Sequence, residues 1–189
     1  MNAVRLTENF FTRDVLTVAP ELIGKVLVRH FPDGKAIKTI ITEVEAYKGI
    51  DDLACHASKG KTPRNEVMFM NGGLVYVYLI YGMYWMLNFV TATPENPQAV
   101  LIRGIHDCSG PGRLTRKLEI DKSFYGENLC LSDRIWVENF GLSLPYSKSA
   151  RIGVDYAGPF WAKVPWRFFA EETVVEKIVN SVNFPTMLG

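Results

Sequence analysis

Two glutamates, Glu43 and Glu45, stand two positions apart in the run ITEVEAY. If that run is a strand, side chains two apart lie on one face, roughly 7 Å from each other. Glu43, Glu45 and Tyr47 then share a face, and Thr42, Val44 and Ala46 take the other. Two carboxylates so close, once desolvated, push one pKa upward, and a carboxylate in such a site can deprotonate a water. The competing reading is a pair of exposed carboxylates on a wet strand. Tyr47 on the same face, His56 soon after, and a long polar connection between 49 and 71 favour a site. Arg103 closes the apolar run AVLIR, either as an ion-pair partner for Glu43 or Glu45 or as a group that orients water beside them. Asn88 is an amide inside an apolar strand, costly unless paired. It either bonds backbone as a core amide or reads the polar edge of a ligand.

Residues 74–90, LVYVYLIYGMYWMLNFV, carry no charge. Tyr76 and Tyr78 alternate with Val75 and Val77, and a glycine interrupts the run, which predicts a β-hairpin bending at Tyr81-Gly82. A turn tip is normally polar. An exposed Tyr81 with Met83 beside it suggests a wedge for something stacked and apolar. A membrane span fits poorly with four tyrosines, Asn88 and a central glycine; a buried strand pair with no functional tip is the plainer alternative.

The elements around these residues follow from turn and propensity signals. Pro20 favours a short helix around Glu21 and Leu22, stopped by Gly24, with a strand at 26–28. Pro32-Asp33-Gly34 turns the chain into a long strand over 37–47. After the hairpin come a loop at 91–98, a strand at 99–103, the turn SGPG and a helix over 113–120 with Leu114 and Leu118 on one face. More sheet is expected at 135–137, 151–154 and 167–170, then an amphipathic segment at 174–179. Hairpins with few helices predict an α+β fold: one domain over 1–189, a mostly antiparallel curved sheet with peripheral helices and a protruding β-hairpin.

The chain has 189 residues, 48% hydrophobic and 12% aromatic, a globular composition with a net charge of only +1. A nucleic-acid surface would therefore need local segregation of charge. Cys55, Cys108 and Cys130 are odd in number and lack CxxC spacing, which argues against a disulfide framework or zinc ribbon and fits a reducing compartment. The N-terminal residues do not read as a secretory signal, so a soluble intracellular protein is expected. Cys55 cannot easily chelate together with the adjacent His56, and His30 and His106 are not at ligand spacing. No zinc-deaminase, phosphate-loop or GxSxG motif is present. No metal or cofactor is expected.

Taken together, EVEAY, His56, KTPRN, MFMNGGLVYVYLIYGMYWMLN, VLIRG, SGPGRL, IDKSF and RIGVDYAG resemble, in order, the alkyladenine (3-methyladenine or methylpurine) DNA glycosylase family. The resemblance implies a monofunctional enzyme that flips damaged purines out of duplex DNA and hydrolyses their N-glycosidic bond. By this resemblance Glu45 is the general base, and Arg103 and the carbonyl of Ile152 help hold the water. Tyr47, Tyr78 and His56 sandwich and hydrogen-bond the base, Ala54 and Leu101 shape its pocket, and Asn88 discriminates against guanine. Tyr81 fills the gap in the duplex, with Met83 beside it. Lys59, Lys61, Thr62, Arg64, Arg113, Arg116 and Lys117 are the candidate backbone contacts. The partner implied is double-stranded DNA bearing damaged purines, bound by a monomer in the cytoplasm or nucleoid. The link from Gly104 to Ser109 is shorter than the family's usual connection, which carries a further helical segment. Other readings are a non-catalytic lesion binder, a lyase using Lys48, and a carbohydrate hydrolase built on paired carboxylates.

Overall fold

The computed structural model describes residues 3–182 and 187–188. Its first elements are β1 (Val4–Arg5), α1 (Glu8–Phe11), α2 (Val15–Leu22), β2 (Val26–His30) and β3 (Ala36–Lys48). The hairpin strands β4 (Val75–Ile80) and β5 (Tyr84–Thr91) come next, followed by β6 (Gln98–Ile105), β7 (Cys108–Ser109) and α3 (Pro111–Lys117). The chain continues through β8 (Ile135–Asn139), β9 (Ser147–Ser149), α4 (Gly158–Trp161), β10 (Arg167–Phe169), α5 (Glu172–Val182) and β11 (Met187–Leu188). Every strand pairing among the described residues is antiparallel, the main path running β1-β8-β2-β3-β6-β5-β4. This is the α+β architecture expected from the sequence, with helices at its margins and the β4–β5 hairpin projecting.

β3 is the spine. Its first half pairs with β2 and β11, and its second half with β6 and β10. A bulge in the β3–β6 ladder at residues 41–44 separates the two halves, a device that re-aims side chains next to it. Period-two alternation sorts the hairpin. Val75 and Val77 enter the main core with Leu87 and Phe89, and Tyr76 and Tyr78 join a second cluster on the opposite face. α2 packs on β3 through Val15, Val18, Ala19 and Leu22, and α3 packs on β5 with Leu114 fully buried.

Several local expectations change. The helix expected around Glu21 begins at Val15, where Asp14 caps it by accepting the Leu16 N–H at 2.9 Å. Pro20 thus lies inside α2; the bond its missing N–H forgoes is offset by the buried apolar face. α3 starts at Pro111 and ends at Lys117 rather than at residue 120, because Glu119 has a φ of 50°. Residues 151–154 are not a strand: Gly153 has a φ of 74° and the Arg151 side chain turns inward, so the segment bends into a single turn at Asp155–Ala157. The long connection after β3 contains single turns at His56–Lys59 and Glu66–Phe69. The short Gly104–Ser109 link is a tight reversal, β7 folding straight back on β6. Among the described residues no helix is long and apolar enough to cross a membrane.

Gly72 marks where the hairpin meets the N-terminal helices. A Cβ there would lie 2.4 Å from the Phe11 carbonyl oxygen and 3.0 Å from that of Ala92. Gly72→Ala is therefore expected to cost about 1–3 kcal/mol through overpacking against backbone; an unchanged urea midpoint would contradict this close approach.

Candidate active site

Glu45 sits on the second half of β3, 0% exposed, between β6 and β10. The Ile152 N–H donates to its Oε1 at 2.7 Å, and the Tyr47 hydroxyl donates to its Oε2 at 2.8 Å. The Arg103 guanidinium stands farther off, with Nη1 3.4 Å from Oε2 and Nε 3.4 Å from Oε1. Burial pushes the Glu45 carboxyl above its ordinary pKa, while Arg103, the Ile152 amide and the Tyr47 hydroxyl pull it back. Ile152 thus meets Glu45 through its amide, on the same residue whose carbonyl the resemblance assigns to the water.

Glu43 and Glu45 are sorted by their surroundings. Glu43 Oε1 accepts from Arg103 Nε at 3.1 Å and from Arg167 Nε at 2.6 Å, so it is tied down as an ion-pair partner. Repulsion between the two carboxylates is the smallest contribution to the raised Glu45 pKa, and desolvation is the largest. Like charge thus acts in the expected direction but only adds to the effect of burial. Arg103 serves both carboxylates, so its reading as an ion-pair partner holds for Glu43 and Glu45 alike.

The three partners of Glu45, Tyr47, Arg103 and Ile152, border a cleft of ≈ 800 Å³, the size of a small-molecule site. Tyr47, Tyr78, His56, Leu101, Arg103 and Ile152 all line it. A smaller pocket of ≈ 40 Å³ at its inner end adds Ala54, Met68, Asn88 and Ala99. The His56 and Tyr78 rings meet edge-on with centroids 4.5 Å apart, and His56 Nδ1 lies 2.8 Å from the Tyr76 hydroxyl. Burial first, then Arg64 and Lys59, lower the His56 pKa to about 4. The imidazole is neutral at physiological pH and able to stack or hydrogen-bond without carrying charge. Asn88 spends its amide N–H groups on the Tyr76 and Met86 carbonyls at 3.1 and 3.2 Å. It is a satisfied core amide that also lines the inner pocket.

The hairpin tip overhangs this cleft. Tyr81 is 86% exposed with a φ of 50°, and Met83 beside it is also exposed. A bulky residue in the left-handed region is an outlier that costs stability, and Asn or Gly would serve the turn better. The ring is thus kept at the tip despite the backbone.

The basic candidates divide. Lys59, Thr62 and Arg64 line the cleft. Arg64 donates to the Leu79 carbonyl at 3.2 Å and lies over the Tyr78 ring. Lys61 pairs with Glu95 at 3.4 Å. Arg116 stacks over Tyr84 just behind the hairpin tip, Arg113 lines a neighbouring depression with His106 and Arg167, and Lys117 is exposed on α3. Lys48 pairs with Asp14 at 2.7 Å, away from Glu45.

Sequence reasoning missed three groups. Tyr76 fixes His56. Tyr156 lines both cavities and donates to the Ala54 carbonyl at 3.1 Å. Asp52 and Arg151 form a fully buried two-pronged ion pair at 2.6 and 2.8 Å. The polar DD and RIG steps in otherwise apolar company were the available signal. Among the described residues no cluster of three His, Cys, Asp or Glu side chains is placed to hold a metal ion.

Comparison with known proteins bears on the same residues. A family model described as methylpurine-DNA glycosylase matches residues 9–107 and 106–174. A Rickettsia felis protein is 48% identical over 158 residues, covering 80% of this chain and 86% of its own length. A Desulfitobacterium hafniense protein is 41% identical over 198 residues, covering 89% and 96%. One from Methanocella arvoryzae is 43% identical over 184 residues, covering 87% and 91%. All three bear the name "Putative 3-methyladenine DNA glycosylase". With the match running from α1 through the glutamate strand, the hairpin and the Arg151 segment, the chain belongs to the methylpurine-DNA glycosylase family.

Proposed function

We propose that this protein is a monofunctional DNA glycosylase that receives an alkylated or deaminated purine turned out of duplex DNA and hydrolyses its N-glycosidic bond, starting base excision repair. The observation that carries the reading is a dry, hydrogen-bonded carboxylate, Glu45, whose partners Tyr47, Arg103 and Ile152 line an aromatic cleft beneath an exposed tyrosine tip. A lesion binder without chemistry needs the tip but not the carboxylate. A lyase needs a free amine, and Lys48 is committed to Asp14.

Entry of the base costs a few kcal/mol of unstacking, least at a damaged or mispaired site. Tyr81 enters the minor groove, and its ring stacks in the gap left behind. The base lies among Tyr47, Tyr78 and His56, where the neutral imidazole, accepting from Tyr76 at Nδ1, keeps Nε2–H as a donor. The Asn88 side chain at the floor discriminates against an amino group at the purine C2 position. Water bound between Glu45 and Arg103 attacks the anomeric carbon: the C–O bond forms as the C–N bond breaks, the water proton passes to Glu45, and the electron pair leaves with the purine. A cationic alkylated purine departs neutral and needs no acid. A neutral lesion takes up a proton as it leaves.

Four measurements test this assignment. Single-turnover release from duplexes carrying hypoxanthine, 1,N6-ethenoadenine or 3-methyladenine is expected to fall ~10²–10⁴-fold in Glu45→Gln, with lesion binding retained. The wild-type rate should drop as pH falls through the Glu45 pKa, at higher pH than an ordinary glutamate because burial raises it. A glutamine variant that keeps the wild-type rate rules Glu45 out as the base. Tyr81→Asn should weaken capture of a lesion duplex by about 1–3 kcal/mol, roughly 5- to 150-fold, without lowering thermal stability; equal capture would remove the wedge. In Arg116→Ala the plot of log affinity against log salt should flatten by about one phosphate's worth, and an unchanged slope would take α3 out of the interface.

A further inference from the structure

Asp52 and Arg151 are fully buried, 99 residues apart in sequence, and joined two-fold: Arg151 Nη1 to Oδ2 at 2.6 Å and Nη2 to Oδ1 at 2.8 Å. Around this pair the main chain converges. Asp52 accepts the Lys48 N–H at 3.1 Å and the Ala54 N–H at 3.0 Å, which curls the connection after β3 back onto the strand end. Arg151 donates to the Ala46 carbonyl at 2.9 Å and to the Trp161 carbonyl at 3.3 Å, tying the strand end to α4. Its guanidinium also lies over the Tyr47 ring, 4.8 Å from the centroid.

Both short hydrogen bonds to Glu45 come from groups this pair holds. The residue after Arg151 supplies the amide to Oε1, and the ring beneath Arg151 supplies the hydroxyl to Oε2. A buried ion pair is a poor way to gain stability, since apolar residues of equal volume often do as well or better. This one also leaves Arg151 Nε without a partner, a cost with no return in packing. What it supplies is registration, two donors brought to opposite oxygens of one carboxylate from segments that share no local periodicity.

We propose that Asp52 and Arg151 are positioning residues for the glycosylase reaction, a buried dyad that delivers the Ile152 amide and the Tyr47 hydroxyl to the two oxygens of Glu45 and so fixes the carboxylate toward the cleft. The inference rests on the reading of Glu45 as the base. Both donors favour the charged carboxylate, so loosening them leaves the desolvation of Glu45 less opposed and raises its pKa further. The other ionisable groups facing Glu45 are Arg103 from β6, Glu43 on its own strand, Tyr78 from β4 and Tyr156 beyond Arg151. Arg167 reaches Glu43 from β10. Of these groups, Tyr156 also feels the charges of Asp52 and Arg151.

The experiment is a single-turnover pH profile of base release from a hypoxanthine duplex, together with abasic-duplex binding, for wild type, Asp52→Asn, Arg151→Lys and Glu45→Gln. Asparagine keeps the shape of Asp52 and loses its charge; lysine keeps the charge of Arg151 and loses its fork. Each is expected to cut the maximal rate constant roughly 10- to 100-fold, the scale of a misplaced catalytic group. The acid limb should move to higher pH, and duplex binding should stay within about threefold. A purely structural pair would lower the active fraction, and hence the amplitude, with rate constant and limb unmoved; that outcome overturns the proposal. If Asp52→Asn does not fold, Arg151→Lys decides by the same limb. No base release by the wild type, or full activity in Glu45→Gln, overturns the reading of the site and the dyad's role with it. An inactive Glu45→Gln beside unmoved Asp52 and Arg151 profiles overturns the dyad alone.

Discussion

A carboxylate removed from water loses solvation worth several kcal/mol, and unless that loss is answered the group takes up a proton and ceases to be a base. Glu45 has no exposed surface. Its neighbourhood is the answer: an amide N–H on one oxygen, a phenol on the other, and a guanidinium shared with Glu43 at longer range. Each donor comes from a different part of the chain, so the charge at Glu45 depends on the whole half-sheet being assembled. Too many close partners would quench its basicity and too few would protonate it. The two short bonds and the looser arginine sit between those limits.

The same assembly explains why polar chemistry and apolar packing occupy opposite sides of one hairpin. Valines at 75 and 77 hold β4 to the core, freeing the tyrosines at 76 and 78 to face the cleft. Asn88 lies opposite Tyr76 in the β4–β5 register and opposite Leu101 in the β5–β6 register, so the pocket floor and the glutamate strand are linked through a ladder of neighbouring strands. The tip carries Tyr81 beyond this braced region, in a conformation that turn chemistry alone would not choose.

Much of this was legible in the sequence because it is periodic. The shared face of Glu43, Glu45 and Tyr47, the alternation in the hairpin, and the bend at Tyr81-Gly82 follow from the strand repeat. What escaped notice depends on contacts across sequence. Asp52 reads as a loop acid and Arg151 as the start of a strand until they meet in the interior. The apolar and basic residues of RIGV suggested extension, but an inward arginine and the left-handed Gly153 bend the chain instead. Pro20 drew attention away from Asp14, whose capping bond sets the true start of α2. The difference between Glu43 and Glu45 was hidden for the same reason, since it rests on Arg167, 124 positions away.

The reversal at His106 and Asp107 brings β7 back along β6, and the Gly110 N–H donates to the Arg103 carbonyl at 2.9 Å. The two arms of that bend are already paired, so whatever is spliced between them adds a loop whose ends are prepaid neighbours, and lengthening it carries only a logarithmic entropy penalty. Extra chain at this outer corner would leave the arginine's own ladder intact. A segment grafted at that corner should therefore leave the Arg103 end of the strand in register.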